Sequence, residues 1–270
     1  LIKAVRSSST LLFWEIFAGC AILTTKMREH GWHCGPPIDV VYDASFNLLD
    51  TGFVTVVIGL ILEGRFSLIH LAPPCSFFSR AVNRFLTHAM RSHLFPAGFP
   101  NLSTHQEEKV RLGNALALVA LRIAEVQEKA GGAWQFEQPA SSLMVWLPEW
   151  LHFLARAGVF HAIAWMCAWG APWAKPVSLY SFQSSIMTLN RGCPGYKHDH
   201  LSLEGLAPDG RNWTCVAGPY WPAFAHEWAS CWNGLLDIAI CKKSSHIAGW
   251  GHLAGNSSIV DVVGPSNFKP

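Results

Sequence analysis

The stretch Ser67-Leu68-Ile69-His70-Leu71-Ala72-Pro73-Pro74-Cys75-Ser76-Phe77-Phe78-Ser79 constrains this chain more than any other. An apolar run of strand length ends abruptly in two prolines. A strand cannot carry its ladder through residues that have no backbone N–H to donate. The prolines also stiffen the backbone that follows, so the Cys75 thiol is expected to project from a fixed loop at the strand's carboxyl end. In open α/β sheets that edge is where ligands bind. The competing reading is a buried strand and an ordinary Pro-rich turn with an inert thiol, since free cysteine is among the most buried residue types.

Upstream, residues 11–17 read as a buried strand and Ala18-Gly19-Cys20-Ala21 as a tight turn. Residues 22–30 carry helical spacing and stop before Gly31. Strand, glycine turn and helix in that order make a crevice in which backbone can approach a ligand and a helix amino end offers free N–H groups. A second strand is expected over residues 38–42. Asp39 then stands about twenty residues beyond the glycine turn, the spacing at which an acid can take a pair of ribose hydroxyls. Phe46-Asn47-Leu48-Leu49-Asp50 leads into an apolar helix over 52–63.

After Cys75 comes a long irregular stretch, residues 80–104, with Arg80, Arg84, His88, Arg91 and His93 interleaved among aromatic and aliphatic side chains. Its length, charge and position suit a lid over a phosphate backbone; a solvated basic loop is the alternative. Thr104-His105-Gln106-Glu107 has capping-box character, opening a helix over 104–130. A strand from 133 ends in Glu137-Gln138-Pro139, which sets a second functional group on the same sheet edge. A helix over 147–157, a strand over 159–168 and an apolar stretch over 177–182 follow. Residues 183–214 are turn-rich and form a small insert. Cys193, His198 and His200 lie in it, at a spacing that matches no tight zinc-ligand pattern, and no metal is assigned. A helix over 223–240 precedes a Gly- and Ser-rich tail.

The bulk numbers fit this outline. Of 270 residues, half are hydrophobic and 14% charged, enough for a sizeable core. A net charge of +2 is too mild to argue for nucleic-acid binding without a local patch. Eight cysteines without a CxxC pair fit a reduced, intracellular protein rather than a disulfide scaffold. The longest largely apolar run, residues 52–62, is too short to span a bilayer. No signal peptide is visible, and a start at Leu1 reads as a fragment or excised domain.

Pro73-Pro74-Cys75 followed by Phe78-Ser79 resembles the nucleophile motif of DNA cytosine-5 methyltransferases. Other landmarks then fall in that family's order. Glu15-Ile16-Phe17-Ala18-Gly19 resembles its first motif, which holds S-adenosylmethionine. Asp39 is similar in placement to its ribose-binding acid, and the Asn47 segment to its adenine-contacting stretch. Glu137-Gln138-Pro139 resembles the motif whose carboxylate engages the target cytosine, and residues 170–175 the one that supports the flipped base. Gly218 to Pro222 looks like the closing motif.

The resemblance covers residues 11–232 and implies an α/β, Rossmann-like S-adenosylmethionine-dependent methyltransferase fold: a mostly parallel sheet, helices on both faces and a small irregular insert. It divides the chain into a leader (1–10), a catalytic core (11–182), the insert (183–214), a return to the core (215–243) and a loose tail (244–270). It implies Cys75, Glu137 and Lys175 as catalytic residues. Glu15, Phe17, Gly19, Asp39, Asn47 and Pro73 would hold the cofactor, and Ser79, Arg80, Arg84 and Arg91 the nucleic acid. DNA is the implied partner and the nucleus the expected location in a eukaryote. RNA as substrate, or a diverged domain that binds without turnover, are the alternatives. The chain departs from the family's pattern at Ala21, Asn47, Gln138, Trp173, Lys175, Val177 and Pro219.

Overall fold

The computed structural model describes Val5 and residues 12–79, 89–195 and 199–236. In chain order these form β1 (Phe13–Ile16), α1 (Ile22–Glu29), α2 (Thr51–Leu62), β2 (Leu68–Leu71), α3 (Thr104–Lys129), β3 (Ala133–Pro139) and α4 (Pro148–Leu154). β4 (Phe160–Trp165), β5 (Pro176–Ser181), α5 (Trp213–Val216) and α6 (Pro222–Ser230) follow. The leader apart from Val5, the tail, and Arg80, Arg84, His88 and His198 lie outside the described residues.

β1, β2 and β3 pair in parallel, with Ile16 opposite Leu71 and Leu71 opposite Phe136. β1 and β2 are buried along their whole length, so neither shows the alternation of a half-exposed strand. Trp14, Ile16, Ile69, Leu71, Trp134 and Phe136 face a core shared with α2, α3 and α4. Phe13 and Leu68 face a second core with α1 and α6. Helices therefore cover both faces of an α/β sheet compatible with a Rossmann-like fold.

On the α1 and α6 side, one register row is polar. Glu15 stands opposite His70, His70 opposite Gln135 and Gln135 opposite Ser181. All four are buried. Each needs a partner, because an unsatisfied buried polar group costs about 1–3 kcal/mol.

The sheet is mixed rather than simply parallel. Its order is β1-β2-β3-β5-β4, and β5 runs antiparallel to both neighbours. This reversal matters for the site. The first residues of β5 lie beside the last residues of β3, with Val177 opposite Pro139, and this brings Lys175 to the edge where Glu137 emerges.

The strand expected over 38–42 does not form. The chain here makes only single bridges to β1, Ile38 with Ile16 and, before the segment, Cys34 with Phe13. Asp39 turns the chain instead, its carbonyl taking Tyr42 N and its Oδ1 taking Val41 N, both at 3.0 Å, and Val40, Val41 and Tyr42 are 56%, 76% and 48% exposed, with no sheet face to cover them. It still occupies the side of β1 opposite β2, because Gly35 and Ile38 donate to Phe13 and Glu15 while Leu68 donates to Leu12. The chain leaves β1 on one side and returns on the other. That topological switch point opens a crevice at the carboxyl ends of β1 and β2.

Local sequence explains most element boundaries. The Asp50 carboxylate accepts from Phe53 N at 2.8 Å and starts α2. The capping box of α3 begins one residue earlier than the sequence suggested: Gln106 Oε1 accepts from Ser103 N at 3.0 Å. β4 is shorter than expected because a 3-10 turn (Met166–Trp169) takes up its end, and α4 stops at Leu154, ahead of the left-handed Gly158 (φ 87°). Within the insert, Ser184–Leu189 is also 3-10, and Ile186 and Leu189 are fully buried in the second core.

Candidate active site

One cleft of about 1260 Å³ runs along the carboxyl edge of the sheet. Gly19, Asp39, Pro73, Cys75, Glu137 and Lys175 all line it.

Its floor on the β1 side is a strained turn. Phe17 (φ 63°), Gly19 (φ 50°) and Ala21 (φ 48°) all adopt left-handed backbone conformations. For the two residues with a Cβ this is sterically costly, and such strain concentrates where a fold serves a ligand. A Cβ built on Gly19 would have no heavy atom within 4 Å, so the backbone there faces open space. Asp39 is tied to this turn, since its Oδ2 accepts from Gly19 N at 2.9 Å and its Oδ1 from Val41 N at 3.0 Å. The bridge at Ile38 suffices to deliver Asp39 to the place a full strand would have put it.

Opposite, β2 stops at the prolines, and Cys75 opens a 3-10 turn, Cys75–Phe77. The cysteine is exposed to the cleft. Desolvation pushes its thiol pKa up, the Glu137 carboxylate pushes it further, and the Lys175 ammonium opposes them. The turn is held from β3: Gln138, fully buried, donates through Nε2 to Pro73 O at 2.6 Å and accepts from Ser142 Oγ at 2.9 Å. A departure from the family's pattern thus has a definite structural task here.

Glu137 projects from β3 and is 7% exposed. Burial raises its pKa, against the lowering effects of Lys175 and of a hydrogen bond from Tyr220. Tyr220 OH donates to Glu137 Oε2 at 3.2 Å and lies 3.0 Å from His70 Nε2. Burial drives the His70 pKa down to about 3, so its ring is neutral at ordinary pH. A neutral ring with its proton on Nε2 donates to the tyrosine oxygen, which then passes its own hydrogen to the carboxylate. Lys175 completes this wall, with its Nζ donating to Ala217 O at 2.7 Å and Gly218 O at 3.2 Å.

His70 and Tyr220 are members that sequence reasoning missed. For His70 the signal was a histidine inside an otherwise apolar strand; Tyr220 lies in the Gly218–Pro222 stretch already noted, without having been singled out.

Other expected residues fall elsewhere. Glu15 is 1% exposed and does not reach the cleft; its Oε2 accepts from Thr24 N at 2.7 Å and from the Thr24 hydroxyl. It fastens α1 to β1, and burial raises its pKa to about 7. Asn47 folds back into a turn by accepting from Leu49 N at 3.0 Å, and it does not line the cleft.

Arg91 borders the cleft but is only 3% exposed, so it is not the free phosphate-gripping cation expected. Its guanidinium donates to the carbonyls of Phe77, Pro96 and Val110 and to Asn114 Oδ1, and stacks 4.1 Å over the Phe78 ring. It staples the Cys75 turn to α3. Phe17 and Ser79 do line the cleft.

A scan against protein-family models finds no match to this chain, and a search of curated proteins finds none. Among the described residues no helix is long and apolar enough to cross a membrane.

Proposed function

We propose that this chain is an S-adenosylmethionine-dependent methyltransferase that modifies carbon 5 of cytosine in DNA through Cys75. The observation that carries this reading is that the Cys75 thiol, the Glu137 carboxyl and the Gly19–Asp39 turn share one cleft.

The β1 side of the cleft fits the cofactor. Open space over Gly19 admits a ligand close to backbone, and the Asp39 carboxylate keeps lone pairs for a hydroxyl pair after taking two N–H groups. When bound, S-adenosylmethionine supplies an electrophilic methyl group.

The opposite wall fits a base taken out of its stack, as modification of a ring carbon requires. Carbon 5 of cytosine is a weak nucleophile until something adds at carbon 6. Cys75 serves as that nucleophile, since sulfur both adds readily and leaves again. Its raised pKa means that the thiol stays protonated until substrate arrives, with Lys175 as the cation that favours ionisation. Glu137, whose pKa burial raises, is placed to protonate or hydrogen-bond ring nitrogen 3, which draws electrons from carbon 6 as sulfur attacks. A positioned acid of this kind contributes on the order of 10²–10⁴ in rate. Tyr220 and His70 hold that carboxyl in place.

Trapping tests the proposal. DNA carrying 5-fluorocytosine is expected to form a covalent adduct with the chain only when S-adenosylmethionine is present, and Cys75→Ser is expected to abolish it. An adduct on RNA alone would redirect the substrate assignment. Cofactor binding without any adduct would overturn the catalytic reading.

A further inference from the structure

Away from the Cys75 wall, three potential ligands converge although the sequence spacing gave no hint of it. Cys167 lies in the 3-10 turn that ends β4 and is 6% exposed. Cys193 follows Arg191, whose backbone pairs with that strand: Trp165 N donates to Arg191 O at 3.0 Å, and Arg191 N to Ile163 O at 3.1 Å. His200 precedes Leu201, whose N–H donates to Pro172 O at 2.7 Å. The ligand atoms of the three residues lie within 4.8 Å of one another, and Cys193 Sγ is 3.4 Å from His200 Nε2. We propose that Cys167, Cys193 and His200 form a structural zinc site that anchors the insert to the end of β4.

The geometry suits that ion. Tetrahedral zinc with Zn–S of about 2.3 Å and Zn–N of about 2.0–2.1 Å holds its ligand atoms about 3.5–3.8 Å apart. Two soft sulfurs and an imidazole select zinc over magnesium or calcium. The Cys193 sulfur already receives the Gly195 N–H at 3.3 Å, made possible by the left-handed Gly195 (φ 77°). An N–H aimed at sulfur stabilises a metal-bound thiolate and orients it. On binding, each thiol releases its proton to solvent while His200 stays neutral, so two thiolates balance the charge of the dication. The fourth position is left to water or a further side chain.

The part of the insert beyond Leu189, whose own side chain is already seated in the second core, also has reason to need such a link. Among the described residues from 190 to 216, Ala207 is the only buried apolar side chain, and regular pairing is limited to the Ala164–Arg191 and Leu206–Asn212 bridges and α5. A segment with so little core of its own is marginal without a staple. Yet Ser202, Leu203, Glu204 and Arg211 from it line the cleft. A metal bridge would hold that wall in register with the sheet.

The test reads metal, not activity, and does not depend on the proposed reaction. The full chain, purified without chelator under reducing conditions, is expected to carry about one zinc per molecule by elemental mass spectrometry. Cobalt replacement should give thiolate-to-metal charge-transfer bands and tetrahedral d–d bands. Cys193→Ser and His200→Ala should each lower zinc affinity at least ~10-fold, with tryptophan near-ultraviolet dichroism verifying that the rest of the fold persists. A wild-type chain that takes up no zinc on reconstitution would overturn the proposal. So would cobalt spectra lacking thiolate bands, zinc retained equally by both variants, or a Cys167–Cys193 disulfide in the freshly purified chain.

Discussion

The side-chain amide of Gln138 donates to the Pro73 carbonyl at 2.6 Å, so the strand that presents Glu137 also fixes the turn that presents Cys75. Gln138→Leu would strand that carbonyl and the Ser142 hydroxyl in a buried setting. Urea unfolding is expected to show a loss of about 1–3 kcal/mol. The rate of adduct formation should fall further than the stability loss explains, because sulfur and carboxyl would no longer share one support. Equal stability and an unchanged adduct rate would show that the tether is dispensable.

Ala21 sits at φ 48° with ψ 34° as the N-cap of α1. A left-handed conformation costs a residue with a Cβ about 1–2 kcal/mol, and glycine escapes it. Ala21→Gly is therefore expected to raise stability by about 1 kcal/mol, read as a higher urea midpoint with unchanged slope.

Two buried groups on the polar row give stability opposite dependences on pH. Glu15 titrates near about 7 when folded against 4.5 when free, so the native state binds the extra proton. Its contribution is fully present below pH 4.5 and is lost as pH rises towards about 7, by about 3 kcal/mol in all. His70, lowered from 6.5 to about 3, contributes above pH 6.5 and loses that contribution as pH falls. Glu15→Gln should thus gain stability relative to wild type as pH rises through this range. His70→Gln should gain as pH falls. Unfolding free energies across the range check both, and parallel curves would refute the assignment.

The reactivity of Cys75 reports on its neighbours. Desolvation and Glu137 raise its pKa and Lys175 lowers it, so alkylation should be slow at neutral pH and rise on the alkaline side. Glu137→Gln is expected to move the profile to lower pH, and Lys175→Met to higher pH. Iodoacetamide labelling followed on the Cys75 peptide separates this thiol from the other exposed cysteines among the described residues, Cys20 and Cys215.

Arg91 gives a contrasting expectation. Replacing it by Met removes hydrogen bonds to three carbonyls and an amide oxygen at once. Stability should drop by about 3 kcal/mol or more, as when a buried charged group loses its place in a network. The salt dependence of DNA binding should not change, because the guanidinium is spent inside the protein. A reduced salt slope would instead make Arg91 a phosphate contact.

Much of this arrangement was legible in the sequence because strong local rules govern it. An apolar run broken by Pro73 and Pro74 leaves a strand no option but to end, and β3 stops beside Glu137 for a comparable reason. Residues fixed by distant partners were not legible. Nothing near Gln138 says that it reaches Pro73, 65 positions away. Arg91 looked like a surface cation because its carbonyl partners come from a turn, a loop and a helix. The strand at 38–42 was misread because its apolar residues match a strand pattern, whereas Asp39 folds the residues after it into a turn. Cys167 and Cys193 meet only because the chain re-pairs with β4 at Arg191, within the insert, which no spacing rule records.

Tyr220 joins His70 across 150 positions and Glu137 across 83. During synthesis both earlier partners leave the ribosome long before the phenol that completes their chain of hydrogen bonds. Burial of the histidine and the carboxyl is therefore expected to be completed only when Tyr220 and α6 dock. Contacts of such long range make folding slow. Tyrosine fluorescence and amide protection at β2 and β3 should mature together, as the last kinetic phase of refolding.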